Sequence, residues 1–333
     1  MACSRETQQE LIRVGFEVPH DLSGLRLDQF LAARLHRHSR AKIRRLIEAG
    51  KVLFRGKGAK ASTRVSQGES VFIFYPKRED PPSRHDGLPV IYEDACLLAV
   101  NKPGYVLSHP TDKIIQNSAT HILSLQFPGR SLHLAHRLDR ETSGVLLLAK
   151  TKEAAAFLNR EFQERRVRKE YWAIVHGRAG FRKKSVSLAI GPAGRDIRVR
   201  QAAGSDESFR DATTEFARLA ANDEASLLCA APRTGRLHQI RVHLAALGHP
   251  IVGDKLYNGG GKLYMKAFRR ELLPEDLLEA GAPRQMLHAR KMELAHPESG
   301  LKISLTAPLP EDFLDCLRRK GLPADLQTPA AAI

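Results

Sequence analysis

Asp139 is the residue whose surroundings first suggest chemistry. It follows Arg137 by two positions and directly precedes Arg140, within the segment HLAHRLDRETSG of residues 133–144. The turn-like TSG and the apolar run VLLLA come next. Adjacent guanidinium groups lower the pKa of a carboxyl group, whereas burial raises it. This spacing therefore indicates a carboxylate that stays ionised at the edge of a buried strand, beside a polyanion.

A second segment, residues 236–247, predicts a counter-charge for this acid. Its apolar residues recur at the three- and four-residue spacing of a helix with one buried face; they are Leu237, Ile240, Leu244 and Leu247. Steps of about 100° place Arg241 inside or beside that stripe. Because a buried arginine is costly without a carboxylate partner, we expect one, and we favour Asp139. The alternatives are that Arg241 reaches the surface or pairs with another acid such as Asp254.

Other catalytic signatures do not match. Ser143 is not in a GxSxG elbow. Residues 258–262 lack the spacing of a P-loop, so we predict a flexible loop there. Four histidines lack the HExxH spacing of a zinc site; they are His133, His136, His238 and His243. We expect neither a metal nor a cofactor.

The chain as a whole is strongly basic. Its 333 residues carry 53 Lys and Arg against 37 Asp and Glu, a net charge of +16. This favours a polyanionic partner, most commonly nucleic acid, over the alternative of a merely basic soluble enzyme. We see no membrane-spanning stretch and no signal segment. The four scattered cysteines form no CxxC pair, so we expect a cytoplasmic protein in a reducing compartment.

The basic residues are concentrated in residues 24–75, where twelve Lys or Arg face three acids. LRLDQFLAARL has the apolar spacing of a helix. Ser39 is placed to cap a second helix, SRAKIRRLIEAG, which Gly50 can end. The strand-like pieces KVLF and VFIFY follow. The order of these elements predicts a small folded unit with a basic surface.

The remaining chain has a mixed pattern. Residues 77–88 are polar and rich in proline and are predicted to be a linker. The predicted strands include IYED, CLLAV, VLLLAK, YWAIVHG, TTEFARL, SLLCAAP and LKISL, and the predicted helices are KEAAAFLNREFQERR and residues 236–247.

Two resemblances give these patterns a context. RLDQFLAARL, SRAKIRRLIEAGKV and VSQGESVFIFYP together resemble the S-four-type RNA-binding domain, named after a ribosomal protein. HRLDRETSGVLLLAKT, RKEYWAIVHG, TGRLHQIRVHLAALGHPIVGDKLY and LHARKMELAHPESG, in that order, resemble the RluA-type pseudouridine synthases. NKPGYVLSHP upstream resembles that family's approach to its active site.

These resemblances imply a fold and a domain organisation. The fold is α+β: a small N-terminal α/β RNA-binding domain and a large catalytic domain, whose mixed, mainly antiparallel β-sheet has flanking helices. The expected boundaries are an extension at 1–23, the S-four-type domain at 24–76, the linker at 77–88, the catalytic domain at 89–320 and a disordered tail at 321–333.

The resemblances also imply roles for matching positions. Asp139 is the essential carboxylate, Arg241 its partner, and Tyr171 the aromatic residue that packs on the target base. The expected substrate-binding residues are Arg137, which helps replace the everted uridine in the RNA stack, and Arg140, Leu287, His136 and Arg236. The expected RNA-binding residues of the N-terminal domain are Arg40, Lys42, Arg44, Arg45 and Lys51. Leu237 departs from the family's usual Thr or Ser.

The function implied is isomerisation of uridines in structured RNA to pseudouridine. We expect ribosomal RNA as the substrate, with transfer RNA as the alternative, and a monomeric enzyme. Another class of hypothesis is a non-catalytic RNA-binding or ribosome-assembly factor, which the intact set of Asp139, Tyr171 and Arg241 disfavours. A hydrolase of the glycosidase type usually needs two carboxylates, and no second acid appears in these motifs.

Overall fold

The computed structural model describes residues 11–35, 39–76, 80, 83–111, 114–194, 197–269 and 271–325. The chain divides into two compact units, residues 1–79 and residues 80–333. No helix in the described part is both long and apolar enough to cross a membrane.

The first unit is a four-stranded antiparallel sheet with two helices. Its strands are β1 (Leu11–Glu17), β2 (Val52–Phe54), β3 (Lys57–Gly58) and β4 (Ser70–Pro76), in the order β1-β4-β2-β3. Its helices are α1 (Leu27–Arg34) and α2 (Arg40–Glu48). Apolar side chains from both helices and from the sheet form one core that includes Phe30, Ile43 and Val71.

Helix α2 begins and ends where its sequence predicts. The Ser39 side chain accepts a hydrogen bond from the Lys42 N–H at 3.3 Å, which satisfies one of the free donors of the first turn. Gly50 follows the helix with a φ of +67°, a conformation that favours glycine. The predicted cap and stop are both confirmed.

Strand β1 was not predicted from the sequence. The assignment of residues 1–23 to an N-terminal extension is wrong for residues 11–17, which form this strand. It pairs along its whole length with β4, from Leu11 opposite Pro76 to Glu17 opposite Ser70. Apolar residues alternate in LIRVGFE, which is the two-residue period of a half-buried strand. Residues 1–10 lie outside the described residues.

The second unit contains twelve described strands. They are β5 (Val90–Glu93), β6 (Leu97–Lys102), β7 (His133–Leu134), β8 (Ser143–Ala149), β9 (Arg168–His176), β10 (Lys183–Ser187), β11 (Ile190–Pro192), β12 (Gln201–Ala203), β13 (Thr213–Ala221), β14 (Ala225–Pro232), β15 (Leu287–Ala295) and β16 (Lys302–Thr306). Ten of them form one sheet with the order β10-β13-β14-β9-β15-β8-β6-β5, where β16 pairs with β15 and β7 with β8, and β11 and β12 form a separate two-stranded ribbon. The helices are α3 (Ala119–Gln126), α4 (Lys152–Gln163), α5 (Gln239–Ala246), α6 (Lys262–Arg269), α7 (Pro274–Ala280) and α8 (Glu311–Arg319).

The sheet is mainly antiparallel, as predicted, and the exception lies at its centre. Strands β8 and β15 run parallel, with Ser143 opposite His288 and Gly144 opposite Ala289. Gly144 has a φ of +113°, and a Cβ there would lie 2.2 Å from the carbonyl oxygen of Ala289. Glycine is therefore required for the two central strands to approach at this point.

Three local predictions need correction. Helix α5 begins at Gln239 instead of residue 236, because His238 has a left-handed backbone, and Leu237 is exposed instead of lying on the buried stripe. The glycine run contains a short 3-10 turn over Gly259–Gly261. Leu322, assigned to a disordered tail, is buried in the core. Residues 326–333 of that tail, and residues 77–79 and 81–82 of the predicted linker, lie outside the described residues.

Candidate active site

Asp139 lies in a short loop that enters strand β8, and the loop is fixed on both sides. Its carbonyl oxygen accepts a hydrogen bond from the Thr142 N–H at 3.1 Å, which closes a turn. Before it, the Ser108 hydroxyl donates to the Leu138 carbonyl at 2.8 Å and accepts from the Leu138 N–H at 2.9 Å. Because both backbone groups of Leu138 are bonded to one buried side chain, the position of the next residue is well determined.

The buried Lys102 supports the same loop from below. Its ammonium donates to the carbonyl oxygens of Pro103 at 2.9 Å, Val106 at 2.8 Å and Arg140 at 3.3 Å. Burial, and then the nearby Arg284, lower the pKa of Lys102 to about 7, against the opposing effect of Asp139. Lys102 therefore connects the segment 103–106 to the backbone of Arg140, the residue that follows Asp139.

Arg241 of helix α5 bridges two carboxylates. Its Nε and Nη2 atoms donate to Asp254 at 2.7 and 2.9 Å, and its Nη1 atom donates to Asp139 at 2.9 Å. Asp254 is buried and also accepts the N–H groups of Leu256 and Tyr257. Arg241 therefore binds both the favoured partner and the alternative acid. Asp254 accepts two parallel hydrogen bonds from Nε and Nη2, and Asp139 accepts one from Nη1.

The surroundings keep Asp139 charged. Burial raises the pKa of its carboxyl group, but the Arg241 guanidinium, His238 and the hydrogen bonds that the carboxylate accepts together hold that pKa below its usual range. A hydrogen bond from Gln285 acts in the same direction. The side chain is 26% exposed, so the charged group faces the space in front of it instead of being sealed in the core.

His238 faces the same carboxylate from the start of helix α5. Its Nε2 atom is 3.8 Å from Asp139, and its Nδ1 atom is 2.9 Å from the Tyr257 hydroxyl. That hydroxyl also accepts the Gln201 N–H at 3.0 Å, so Tyr257 fixes the orientation of the His238 ring through Nδ1. Burial, and then Arg241, lower the pKa of His238 to about 4, so the ring is neutral at pH 7.

Tyr171 and Leu287 come from strands β9 and β15, and β15 lies between β9 and β8 in the sheet. Tyr171 lies on β9, and Leu287 begins β15. Burial, and then the negative charge of Asp139, raise the pKa of the Tyr171 hydroxyl, so it remains a neutral phenol. The two strands pair with each other through Leu287 opposite Ala173 and Ala289 opposite Tyr171. Sheet pairing therefore brings an aromatic and an apolar side chain to the same cleft as the carboxylate.

The cleft has a volume of about 890 Å³ and a strongly uneven charge. Among the described residues that line it, seven are Arg or Lys and one, Asp139, is acidic. The cations are Arg137, Arg140, Arg165, Lys169, Arg233, Arg236 and Arg241. The cleft therefore suits an anionic chain that brings one group to a single carboxylate, and its described lining lacks the carboxylate pair of a typical glycosidase.

Comparison with known proteins also indicates a protein that acts on RNA. The family model described as RNA pseudouridylate synthase matches residues 96–246, and the model of the S4 domain matches residues 25–71. The ribosomal large subunit pseudouridine synthase D of Nitrosomonas europaea is 32% identical over 319 residues, which cover 94% of this chain and 89% of that protein. The chain belongs to the RNA pseudouridine synthase family.

Other relatives agree with this assignment. The protein of the same name from Pseudomonas aeruginosa is 32% identical, with 92% of this chain and 95% of that protein covered. The solved structure of human RNA Pseudouridylate Synthase Domain Containing 4 has 28% identity and a TM-score of 0.57, and the match covers 71% of this chain and 94% of that chain. The predicted RluA-type synthase with an S-four-type domain is confirmed.

The substrate-binding residues predicted for the synthase all lie around the cleft. Arg137, Arg140 and Arg236 are exposed on its lip, and Leu287 is buried in its wall. His136 also lines the cleft, but its Nε2 atom accepts the Leu147 N–H at 3.1 Å. Burial, and then Lys169, lower the pKa of His136 to about 3, so the ring is a neutral acceptor that holds strand β8.

The first unit of the synthase presents its basic residues around a buried acid that the sequence analysis did not single out. Asp28 is fully buried and accepts hydrogen bonds from Arg26 at 3.2 Å, Arg40 at 3.3 Å and Arg44 at 3.1 Å. The three guanidinium groups remain about half exposed. Arg40, Arg44 and Arg45 line a shallow depression on the surface of α2. Lys42 is exposed beside them, and Lys51 is half-buried after the helix.

The described residues contain no group of three or more His, Cys, Asp or Glu side chains placed to hold a metal ion. Tyr257 was missed by the sequence analysis. Its only signal was its place in the segment GDKLY, which gives no indication of a hydrogen bond to His238.

Proposed function

We propose that the synthase converts specific uridines of ribosomal RNA to pseudouridine, with Asp139 as its catalytic carboxylate and the target nucleotide everted into the cleft. The observation that carries this proposal is the single ionised acid in a cleft lined by cations, held by one N–H of Arg241 at 2.9 Å. Ribosomal RNA is the substrate class because relatives covered over most of their length are named ribosomal large subunit synthases.

The reaction explains why one carboxylate is sufficient. The bond from ribose to the base nitrogen breaks, the base turns, and the ribose rejoins the base through carbon, so the product has the same atoms as the substrate. A carboxylate that attacks the sugar or the base, or that removes a ribose proton, must be ionised in each case. The effect of Arg241 on the pKa of Asp139 supplies that condition.

Base eversion fits the shape and lining of the cleft. A uridine stacked in RNA cannot reach a carboxylate at the edge of a central strand, and flipping it out costs a few kcal/mol. Tyr171 offers an aromatic face worth about 1–3 kcal/mol to the base, and Leu287 offers an apolar wall. In this proposal Arg137, which is exposed on the lip of the cleft, occupies the space that the everted base leaves in the stack.

The first unit contributes binding in this proposal. Asp28 restrains Arg40 and Arg44 through their inner N–H groups, so their outer N–H groups remain available to phosphates. Such contacts release counterions, so we expect RNA binding to weaken steeply as the salt concentration rises.

The test is tritium release from ribosomal RNA labelled at carbon 5 of uridine and isolated from cells that lack this gene. Wild-type protein should release tritium, and Asp139→Asn should abolish release while retaining RNA binding. Asp223→Asn is a matched control because Asp223 is 93% exposed and lies outside the cleft. Release from transfer RNA but not ribosomal RNA would reject the substrate assignment. Binding without release from any RNA would identify a non-catalytic RNA-binding protein.

A further inference from the structure

Lys169 is a cation in the wall of the cleft that has no anionic partner among the described residues. It lies on strand β9 two residues before Tyr171, so both side chains project from the same face of the sheet, while Glu170 between them is buried on the other face. Its ammonium faces the Phe162 ring, whose centroid is 5.9 Å away. Burial lowers the pKa of Lys169, and no acid in the described part of the chain opposes that effect.

Other buried or half-buried lysines of this unit have partners. The ammonium of Lys102 has three carbonyl acceptors, and that of Lys255 binds Glu141 and the carbonyl oxygen of Pro283. Lys150 binds Glu93. A partly desolvated cation without an anion is unfavourable. Lys169 therefore differs from these lysines in a way that the folded chain alone does not explain.

The space in front of the ammonium is open. Gly235 lies across it, and a Cβ added to that residue would meet only the Lys169 Nζ atom, at 3.9 Å. Both residues line the cleft together with Arg233 and Arg236. An anion entering here would meet Lys169 directly, because the glycine carries no side chain to block it.

We propose that Lys169 binds the phosphodiester group that adjoins the everted uridine. This inference rests on the proposed function, since it assumes that the base of that nucleotide packs on Tyr171. Two residues along a strand span roughly 7 Å, a separation comparable with that between the base and the phosphate of one nucleotide. The side chain that contacts the base and the side chain that contacts its phosphate thus come from adjacent positions on one strand face.

The first experiment measures binding to a short oligouridylate over a series of salt concentrations, using the full chain. Lys169→Met should weaken binding roughly tenfold, as expected for the loss of one charge-assisted hydrogen bond. It should also reduce the slope of log K against log salt by about 1. Lys169→Arg should retain the slope. Lys152→Met removes an exposed charge outside the cleft and should leave the slope unchanged.

A stability measurement separates this role from a structural one. Because Met removes an unpaired, partly buried charge, the free protein should have an unchanged or higher melting temperature as Lys169→Met. A lower melting temperature with an unchanged salt slope would overturn the proposal. Both readouts are independent of catalysis, so they test Lys169 even if no RNA is converted in the tritium assay.

The second experiment locates the contact once a converted uridine has been mapped. RNA fragments around it would carry a single uncharged methylphosphonate linkage at successive positions. The effect of Lys169→Met on affinity should disappear at one linkage next to the target and persist at the others, which is the non-additivity expected of contacting groups. Equal effects at every linkage would show that the ammonium contacts the base or no part of the RNA.

Discussion

Replacement of Arg241 tests the central ion-pair arrangement most directly. Arg241→Met leaves Asp254, which is 1% exposed, without its two guanidinium hydrogen bonds. Removing one partner of a buried ion pair typically costs about 3–5 kcal/mol, and we expect a loss of that size in the free energy of unfolding. Chemical denaturation should measure it. Loss of the N–H directed at Asp139 should also lower kcat by roughly 100-fold near neutral pH.

A double variant separates these two effects. Arg241→Met with Asp254→Leu removes the uncompensated buried charge as well, so it should recover most of the lost stability. Its catalytic defect should remain, because Asp139 still lacks its counter-charge. If activity returned together with stability, the guanidinium would serve only to hold the fold, and the role assigned to it here would be wrong.

The pH dependence of activity in the Arg241 variants tests the effect of Arg241 on the pKa of Asp139. Arg241 lowers the pKa of Asp139 in the wild type, so the acid limb of kcat/KM should lie below the usual carboxyl range. Without Arg241, burial dominates and the pKa rises, so the acid limb should move to higher pH. For the same reason, the stability that ionised Asp139 contributes is present above its unfolded pKa and is lost as pH falls through the folded value.

Three smaller changes test other parts of the arrangement. Tyr257→Phe removes the hydroxyl that binds Nδ1 of His238, so kcat should fall while RNA affinity is retained, and ¹⁵N spectra of the histidine should show a change in its tautomer populations. Gly144→Ala places a Cβ against the carbonyl oxygen of Ala289, so it should destabilise the fold or prevent folding, which circular dichroism would detect. A normal melting temperature would contradict the close approach of strands β8 and β15. Asp28→Asn makes the net charge more positive, yet we expect weaker RNA binding in filter assays, because the arginines that Asp28 restrains lose their orientation. Tighter binding by this variant would show that charge alone matters.

The sequence predicted the parts of the site that depend on local pattern. Arg241 was placed beside a buried stripe by periodicity alone, and the cost of burying a guanidinium required an acid partner. Periodicity could not show that Arg241 binds Asp139 and Asp254 together, since one arginine has two bonding edges and their use depends on tertiary packing. It also placed the start of helix α5 three residues early, because the left-handed backbone of His238 has no signature in an apolar spacing.

Other features were out of reach because they depend on contacts between distant segments. The bonds of Ser108 to Leu138 join residues thirty positions apart. The parallel pairing of β8 with β15 joins residues about 145 positions apart, as in Ser143 opposite His288. Strand β1 is different: the alternation was present in its sequence, and a boundary drawn from the domain resemblance at residue 24 excluded it. Local pattern is therefore a better guide to such an edge strand than the limits of a domain resemblance.

In the proposed function, the sharing of Arg241 between two acids also accounts for an Asp139 that is both charged and reactive. An arginine devoted entirely to one carboxylate would satisfy both oxygens and reduce their tendency to react. Here Asp254 takes two guanidinium hydrogen bonds, so Asp139 receives a single Nη1–H. The group of three carries one net negative charge, and Asp139 is the carboxylate on its open side. The six other cations that line the cleft then favour the approach of an anionic RNA without neutralising that carboxylate directly.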